Sequence, residues 1–152
     1  MLKIISLGNE LRGDDGIGPR VVEHVKDIKH PIPITFINAG ADAFILLEHL
    51  VEPEPIILVD CAQMGKEPGS IVKFEINDAN LNQANNAISL HGFSLAEVIA
   101  LAKTVKEIAP CTVIGIEPES IEMGEQLSET VKKSFPSVVN LVLEEIEEYA
   151  KA

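Results

Sequence analysis

Cysteine is rare in this sequence, and long apolar runs are absent. The two cysteines, Cys61 and Cys111, belong to no C-x-x-C motif and fall at the end of one predicted strand and at the start of another. If these strands are parallel, the thiols lie about 15 Å apart, which is too far for a disulfide. The first apolar run ends at residue 7. We therefore expect no signal peptide, no membrane span and a location in the reducing cytoplasm.

Basic residues are also scarce. The chain has 12 lysines and arginines against 24 aspartates and glutamates, which gives a formal charge of -12. This charge argues against nucleic acid or an anionic membrane surface as a partner. Apolar residues make up 46% of the chain, which is enough for a packed core.

Short apolar runs alternate with helical patterns along the chain. The predicted strands are residues 2–7, 33–37, 56–59, 70–76 and 111–116, with 70–76 as an edge strand. The first two predicted helices are residues 16–28 and 43–50. A third helix is predicted to start at a capping box formed by Ser94 and Glu97. A fourth covers residues 126–150, with Pro136 at a kink or a fresh first turn. Residues 77–89 are expected to form an exposed excursion. This alternation predicts a single α/β domain over residues 1–152, with a mainly parallel twisted sheet of about five strands and helices on both faces.

A glycine-rich loop with two adjacent carboxylates, Asp14 and Asp15, follows the first predicted strand. Loops at this position often bind phosphate at a helix start, but here the negative charge repels phosphate and favours a cation. The glycines do not match the dinucleotide motif, and Asp14 stands where a Walker A motif requires lysine. A structural alternative is that both aspartates cap the first helix. Because one cap needs only one residue, the second acid is a candidate for function.

Asp60 and His91 occupy comparable positions further along the chain. Asp60 ends an apolar strand, where a charge is costly unless it is solvated, caps a turn or binds a cation, and His91 lies just before a predicted helix. In parallel sheets, ligands bind outside the carboxyl ends of the strands, so Asp15, Asp60 and His91 could converge there. Two carboxylates and one imidazole would suit a divalent ion such as nickel, iron, manganese or zinc, with coordination positions left open.

Motifs for a nucleophile are missing from the sequence. It contains no G-x-S-x-G elbow, and neither cysteine lies in a catalytic motif. The turn-rich segment 115–120 is expected to shape a groove rather than to carry chemistry. The remaining histidines have no acidic partner at a motif position and receive no functional role: His24, His30 and His49.

Taken together, these residues resemble those of the nickel–iron hydrogenase maturation endopeptidases over nearly the whole chain. The resemblance rests on the loop G-N-x-L-x-x-D-D-x-x-G at residues 8–18, Asp60 after an apolar strand, I-S-x-H at residues 88–91 and G-I-x-P-E-S at residues 115–120. It implies that Asp15, Asp60 and His91 are the metal ligands and the catalytic residues. Asp14 would orient one of these ligands without binding the metal itself.

The resemblance also implies a substrate and a reaction. The family removes a C-terminal extension from the hydrogenase large-subunit precursor after nickel has been inserted. The substrate would bring this nickel, which would not be permanently bound, and the metal would polarise the scissile carbonyl or activate water. The resemblance therefore implies a cytoplasmic, monomeric, aspartyl-type endopeptidase whose partner is the large-subunit precursor.

One departure from the family pattern stands after the second strand. Many members have an acidic residue and a Gly-Gly-Thr-like turn there, where this chain has Asn38 followed by Ala39, Gly40 and Ala41. The loss of the carboxylate leaves Asn38 as a candidate substrate contact only.

Two other functions compete with the proteolytic one. A signalling receiver domain also pairs acids after its first strand, binds Mg²⁺ and would be phosphorylated on Asp60. Against it, Asp14 and Asp15 lie beyond the end of the first strand, and no lysine ends the last one. A non-catalytic nickel carrier or assembly chaperone would bind metal without changing the mass of its partner.

Overall fold

The computed structural model of the protein describes residues 1–76, 89–90, 93–124 and 126–152, and its centre is a five-stranded sheet. The strands of the sheet are β1 (Leu2–Ser6), β2 (Ile34–Asn38), β3 (Ile56–Cys61), β4 (Ile71–Glu75) and β7 (Cys111–Ile116). Their order is β2-β1-β3-β7-β4, with β4 antiparallel to β7 and the other pairs parallel. A separate two-stranded ribbon joins β5 (Ser89–Leu90) and β6 (Phe93–Ser94).

Helices cover both faces of the sheet. Those in the described ranges are α1 (Ile17–Lys26), α2 (Ala43–Leu50), α3 (Leu95–Val105) and α4 (Glu129–Lys151). Successive side chains of a strand point to opposite faces, so Ile57 and Val59 of β3 pack with α1 and α4, whereas Ile56 and Leu58 pack with α2 and α3. The predicted fold class, α/β with a mainly parallel sheet of about five strands, is confirmed. None of these helices combines the length and the apolar character of a membrane span.

Several predicted elements have the expected bounds. The helix α2 and the strand β7 begin and end at the predicted residues, and β4 is the predicted edge strand. The capping box of α3 is present, because the backbone N–H groups of Ser94 and Glu97 each donate to the side chain of the other residue at 3.2 Å. The expected excursion at residues 77–89 falls mostly outside the described residues.

The last helix begins later than predicted. It starts at Glu129 rather than at residue 126, because Ser128 is the N-cap and its hydroxyl accepts a hydrogen bond from the N–H of Val131. The helix continues through Pro136, so the predicted alternative of a fresh first turn at this residue is wrong. Pro136 is exposed, which lets water reach the carbonyl that loses its intrahelical donor.

The parallel register determines which side chains share an edge of the sheet. In the pairing of β3 with β7, Ile56 is opposite Cys111 and Cys61 is opposite Ile116. The two thiols therefore lie at opposite ends of neighbouring strands, as predicted, and both are free and buried. The loops that follow β1, β3 and β7 all begin at the carboxyl edge, where Asp60 pairs with Gly115.

Candidate functional site

Gly8 brings the loop of Asp15 against the carboxylate of Asp60. A β-carbon built on Gly8 would stand 2.0 Å from the carbonyl oxygen of Asp15 and 3.4 Å from Oδ1 of Asp60. The φ angle of Gly8 is +129°, which L side chains rarely adopt. Only glycine therefore permits this close approach. Two of the three residues predicted for the site, Asp15 and Asp60, are thus brought together at the carboxyl edge of the sheet.

Asp60 is a buried carboxyl group in an unfavourable electrostatic environment. It is 3% exposed. Burial, and after it the negative charge of Asp15, raises the pKa of Asp60 well above its usual range, whereas the N–H of Cys61, which donates to Oδ1 at 2.7 Å, opposes the rise. None of the salt bridges between described residues includes Asp60. A bound cation would therefore offset the cost of its buried charge.

Asp14, in contrast, accepts hydrogen bonds at both of its carboxylate oxygens. The N–H groups of Glu119 and Ser120 donate to its Oδ2 at 2.9 and 3.1 Å. Ser128 donates through its N–H to Oδ1 at 2.7 Å and through its hydroxyl to Oδ2 at 2.8 Å. A carboxylate offers about four acceptor positions, and Asp14 accepts three hydrogen bonds at Oδ2 and one at Oδ1. Asp14 is thus an anchor for a distant segment rather than a group open to a ligand.

The alternative in which Asp14 and Asp15 cap the first helix is wrong. Both residues lie inside a 3-10 turn, Gly13–Gly16, and α1 starts only at Ile17. No side chain makes a capping hydrogen bond at the start of either element. The Asp15 carboxylate instead accepts a hydrogen bond from the N–H of Asn9 at 2.8 Å, which folds the loop back on itself.

Glu117 is a further buried carboxyl group at this edge of the sheet, and it is not among the residues predicted for the site. It follows β7 and is 6% exposed. Its Oε1 accepts hydrogen bonds from the N–H groups of Met64 at 2.8 Å and Lys66 at 3.1 Å, both in the loop after Asp60. An acidic residue directly after a buried apolar strand, as at Asp60, is the sequence signal that could have identified it.

Four carboxyl groups surround the thiol of Cys61. Burial raises the pKa of this thiol most, and Asp60, Asp15, Asp14 and Glu117 follow in that order. The thiol therefore stays protonated at neutral pH, and it is a poor nucleophile. This result agrees with the absence of a nucleophile motif in the sequence.

The hydrogen bonds divide the four carboxylates into two pairs. Asp14 and Glu117 accept four and two hydrogen bonds from other loops, whereas Asp15 and Asp60 each accept one, from Asn9 and from Cys61. Oxygen atoms of Asp15 and Asp60 are therefore left for a ligand. Carboxylate oxygens with little other hydrogen bonding and a buried negative charge fit a divalent cation.

His91, the third predicted ligand, lies outside the described residues, between β5 and β6 in the chain. In the described part of the chain, no three His, Cys, Asp or Glu side chains are arranged to hold a metal ion. A metal site built on the two carboxylates would need a further ligand, and the role of His91 stays a prediction.

The other polar residues considered in the sequence have structural contacts. His24 packs its ring against Phe135, the ring of His30 hydrogen-bonds the carbonyl of Val25, and His49 contacts Lys3. Exposed Asn38 accepts a hydrogen bond from the N–H of Gly40, and the Gly40 carbonyl accepts one from Gly8. The loop after β2 is therefore joined directly to the glycine of the site.

Comparison with known families identifies the chain. Residues 19–145 match the family model HycI, described as hydrogenase maturation protease. The chain belongs to the hydrogenase maturation protease family. The delta subunit of the coenzyme F420 hydrogenase of Methanothermobacter thermautotrophicus is 30% identical over 154 residues, which cover 94% of this chain and 92% of that protein.

Solved structures of family proteins share the fold. The hydrogenase maturating endopeptidase HybD of E. coli has a TM-score of 0.82 and 25% identity, covering 97% of this chain and 93% of that one. The hydrogenase 2 maturation peptidase of a Thaumarchaeota archaeon has a TM-score of 0.69 and 28% identity, covering 95% and 97%. As a hydrogenase maturation protease, the protein hydrolyses peptide bonds and processes hydrogenase precursors.

Family membership also decides between the competing functions. The receiver-domain interpretation is wrong, because the family model and the solved structures belong to maturation proteases. The antiparallel edge strand β4 also differs from the all-parallel sheet of a receiver domain. A purely non-catalytic nickel carrier does not agree with a family of peptidases.

Proposed function

We propose that this protein removes the C-terminal extension from the large-subunit precursor of a [NiFe] hydrogenase, and that it does so only after nickel has entered the precursor. Asp15, Asp60 and His91 would contact that nickel, which the substrate brings. The observation that carries the proposal is the pair of under-bonded carboxylates, Asp15 and Asp60, of which Asp60 is buried without a salt bridge among the described residues.

Electrostatics explain how such a site would distinguish a loaded from an empty precursor. Burial raises the pKa of Asp60 most, and repulsion between its carboxylate and the nearby one of Asp15 raises this pKa further. A divalent cation reverses this repulsion, so a precursor that carries nickel gains binding free energy that an empty precursor lacks. The two carboxylates therefore favour binding of the nickel-loaded precursor over the nickel-free one.

The chemistry follows from the same arrangement. A divalent metal supplies Lewis-acid polarisation of a carbonyl or of water, and this removes the need for a side-chain nucleophile. The raised pKa of Cys61 supports this proposal, because the thiol nearest to the site remains protonated. We therefore propose an aspartyl-type endopeptidase in which carboxylates orient the metal-bearing end of the substrate. Two free, buried cysteines also fit the reducing cytoplasm proposed as its location.

The test is an incubation of the protein with matched precursors. We expect intact-mass spectrometry to show loss of the C-terminal extension from the nickel-loaded precursor and no loss from the nickel-free one. Asp60→Ala and His91→Ala should abolish the cut, whereas Asp27→Ala and His24→Ala, at exposed positions of the same residue types, should preserve it. Equal cleavage of both precursors would contradict nickel dependence. Nickel binding without any change in the mass of either precursor would contradict the proposed substrate.

A further inference from the structure

A single segment, residues 117–124 and 126–128 in the part of the chain that the structure describes, contacts both loops that carry the candidate carboxylates. We call it the bracing segment. It leaves β7 at the carboxyl edge of the sheet and ends at Ser128, the N-cap of α4. Because β7 and α4 are packed in the core at its two ends, the bracing segment has fixed anchor points.

The first set of contacts joins the bracing segment to the loop of Asp15. Besides the four hydrogen bonds accepted by the Asp14 carboxylate, the N–H of Asp14 donates to the Ser120 carbonyl at 2.9 Å. Gly124 donates to Leu11 and accepts from Gly13, each at 2.8 Å. Asp15 itself makes none of these bonds, so its position depends on the residue before it.

The second set joins the bracing segment to the loop of Asp60. The Glu117 carboxylate accepts from Met64 and Lys66, and its backbone N–H donates to the Ser70 carbonyl at 2.8 Å. The Glu117 carbonyl accepts from Gly69 at 2.8 Å. The loop after Asp60 is therefore attached at both of its ends to one residue.

Both attachments hold the two loops close together at the carboxyl edge of the sheet. The loop of Asp15 comes so near to Asp60 that a β-carbon on Gly8 would stand 2.0 Å from the Asp15 carbonyl oxygen and 3.4 Å from Oδ1 of Asp60. The backbone N–H donors that hold Asp14 and Glu117 form charge-assisted hydrogen bonds, which are the stronger class. The buried carboxylates of Asp14 and Glu117 therefore attach these two loops firmly to each other through the bracing segment.

We infer that Asp14 and Glu117 are positioning residues, which hold Asp15 and Asp60 at a fixed separation through the bracing segment. The inference rests on the proposed function of Asp15 and Asp60 as the carboxylates that contact the nickel of the substrate. It adds that the distance between the carboxylates of Asp15 and Asp60 is set by two residues that do not contact the substrate. Misplacement of a catalytic group by about 1 Å can lower a rate about a hundredfold.

The experiment compares Asp14→Asn and Glu117→Gln with Glu145→Gln. Glu145 is the matched control, because it is also a buried carboxylate with a hydrogen-bond donor, Lys73, but it lies on α4 outside the site. Amide hydrogen exchange is measured at Asn9 and Cys61, whose N–H groups donate to Asp15 and Asp60. Cleavage of the nickel-loaded precursor is measured at a temperature at which urea titration shows every variant to be folded.

We expect the Asp14 and Glu117 variants to exchange at Asn9 or Cys61 at least about tenfold faster than Glu145→Gln, and to lose at least about tenfold in kcat with KM changed less than about threefold. Exchange and kcat equal to those of Glu145→Gln would overturn the inference. If the wild-type protein does not cut the nickel-loaded precursor, the proposed function fails. The exchange rates at Asn9 and Cys61 then still decide whether the two residues position the carboxylates.

Discussion

Gly18 of α1 lies directly against the carbonyl oxygen of Val59, so close that a β-carbon on Gly18 would stand 2.5 Å from that oxygen. The carbonyl oxygen of Leu7 would be 2.6 Å away. The first turn of α1 therefore fits between the ends of β1 and β3 only without a side chain. This contact fixes the helix that follows Asp15 at the carboxyl edge of the sheet, and it explains the last glycine of the loop motif.

Gly18→Ala should destabilise the protein by about 2 to 3 kcal/mol, because rigid backbone atoms would have to move to admit the methyl group. The matched control is Gly65→Ala. Gly65 has a φ of +75° but nothing within 4 Å of an added β-carbon, so only backbone strain of about 1 kcal/mol applies. Urea unfolding of the two variants checks the order. A smaller loss for Gly18→Ala than for Gly65→Ala would contradict the packing argument.

The Lys3–Glu52 pair predicts a pH-dependent contribution to stability. Lys3 is buried in β1, and its Nζ donates to Glu52 at 2.7 Å and contacts His49 at 3.0 Å. The hydrogen bond from Lys3 lowers the pKa of Glu52 below its usual 4.5. A carboxyl group whose pKa is lower in the folded state stabilises the fold above the unfolded-state pKa, and this contribution is lost as the pH falls through the folded-state pKa.

Glu52→Gln should therefore reduce the free energy of unfolding at pH 6 to 7, and the difference from wild type should shrink as the pH falls below about 4.5. Urea titrations across this range measure the difference. In a Lys3→Met background the same substitution should have a smaller effect, because the donor is gone. An effect that grows on acidification would show that the pair does not act in this way.

The capping box of α3 predicts different results for its two members. Ser94→Ala should cost about 1 kcal/mol, because the N–H of Glu97 loses its acceptor at the helix start. Glu97→Gln should cost much less, because glutamine can also accept the hydrogen bond from the N–H of Ser94. Thermal or urea unfolding distinguishes the two variants. Equal losses would mean that the charge of Glu97 matters more than its hydrogen bond.

The raised pKa of the Cys61 thiol predicts low reactivity. Burial and the surrounding carboxylates keep it protonated, and burial does the same for Cys111. Neither thiol should react with iodoacetamide at pH 8 in the folded protein, and both should react in urea. Cys61→Ala should retain cleavage of the precursor within about threefold, since no thiolate takes part. Loss of cleavage in a folded Cys61→Ala protein would point to a covalent mechanism.

The arrangement of strands and helices could be predicted from the sequence because the signals are local. Residues 56–59 form an unbroken apolar run and residues 111–116 a nearly continuous one, interrupted by Thr112 and Gly115, and the structure buries both on both faces. The start of α4 was missed by three residues, although Ser128 followed by Glu129 is a typical N-terminal pair. The periodic apolar pattern of α4 extends to residues before Ser128, but this N-cap determines where the helix begins.

The site could be predicted only in part. In the sequence Asp14 and Asp15 are equivalent neighbours, and nothing in it shows which of the two carboxylates accepts hydrogen bonds from a distant segment. The N–H groups that donate hydrogen bonds to the Asp14 carboxylate lie more than 100 residues further along the chain. The position of Glu117 after an apolar strand is a local signal, but its partners Met64 and Lys66, 53 and 51 residues away, could not be predicted for the same reason. Long-range hydrogen bonds of this kind leave no local pattern.

The contact between the bracing segment and the glycine-rich loop has a consequence for chimeras of this protein. The Asp14 carboxylate of the loop at residues 8–18 accepts hydrogen bonds from the amide groups of Glu119, Ser120 and Ser128. Chimeras that exchange the glycine-rich loop should therefore exchange residues 117–128 from the same parent, because the two pieces of chain form one structural module despite their separation in sequence.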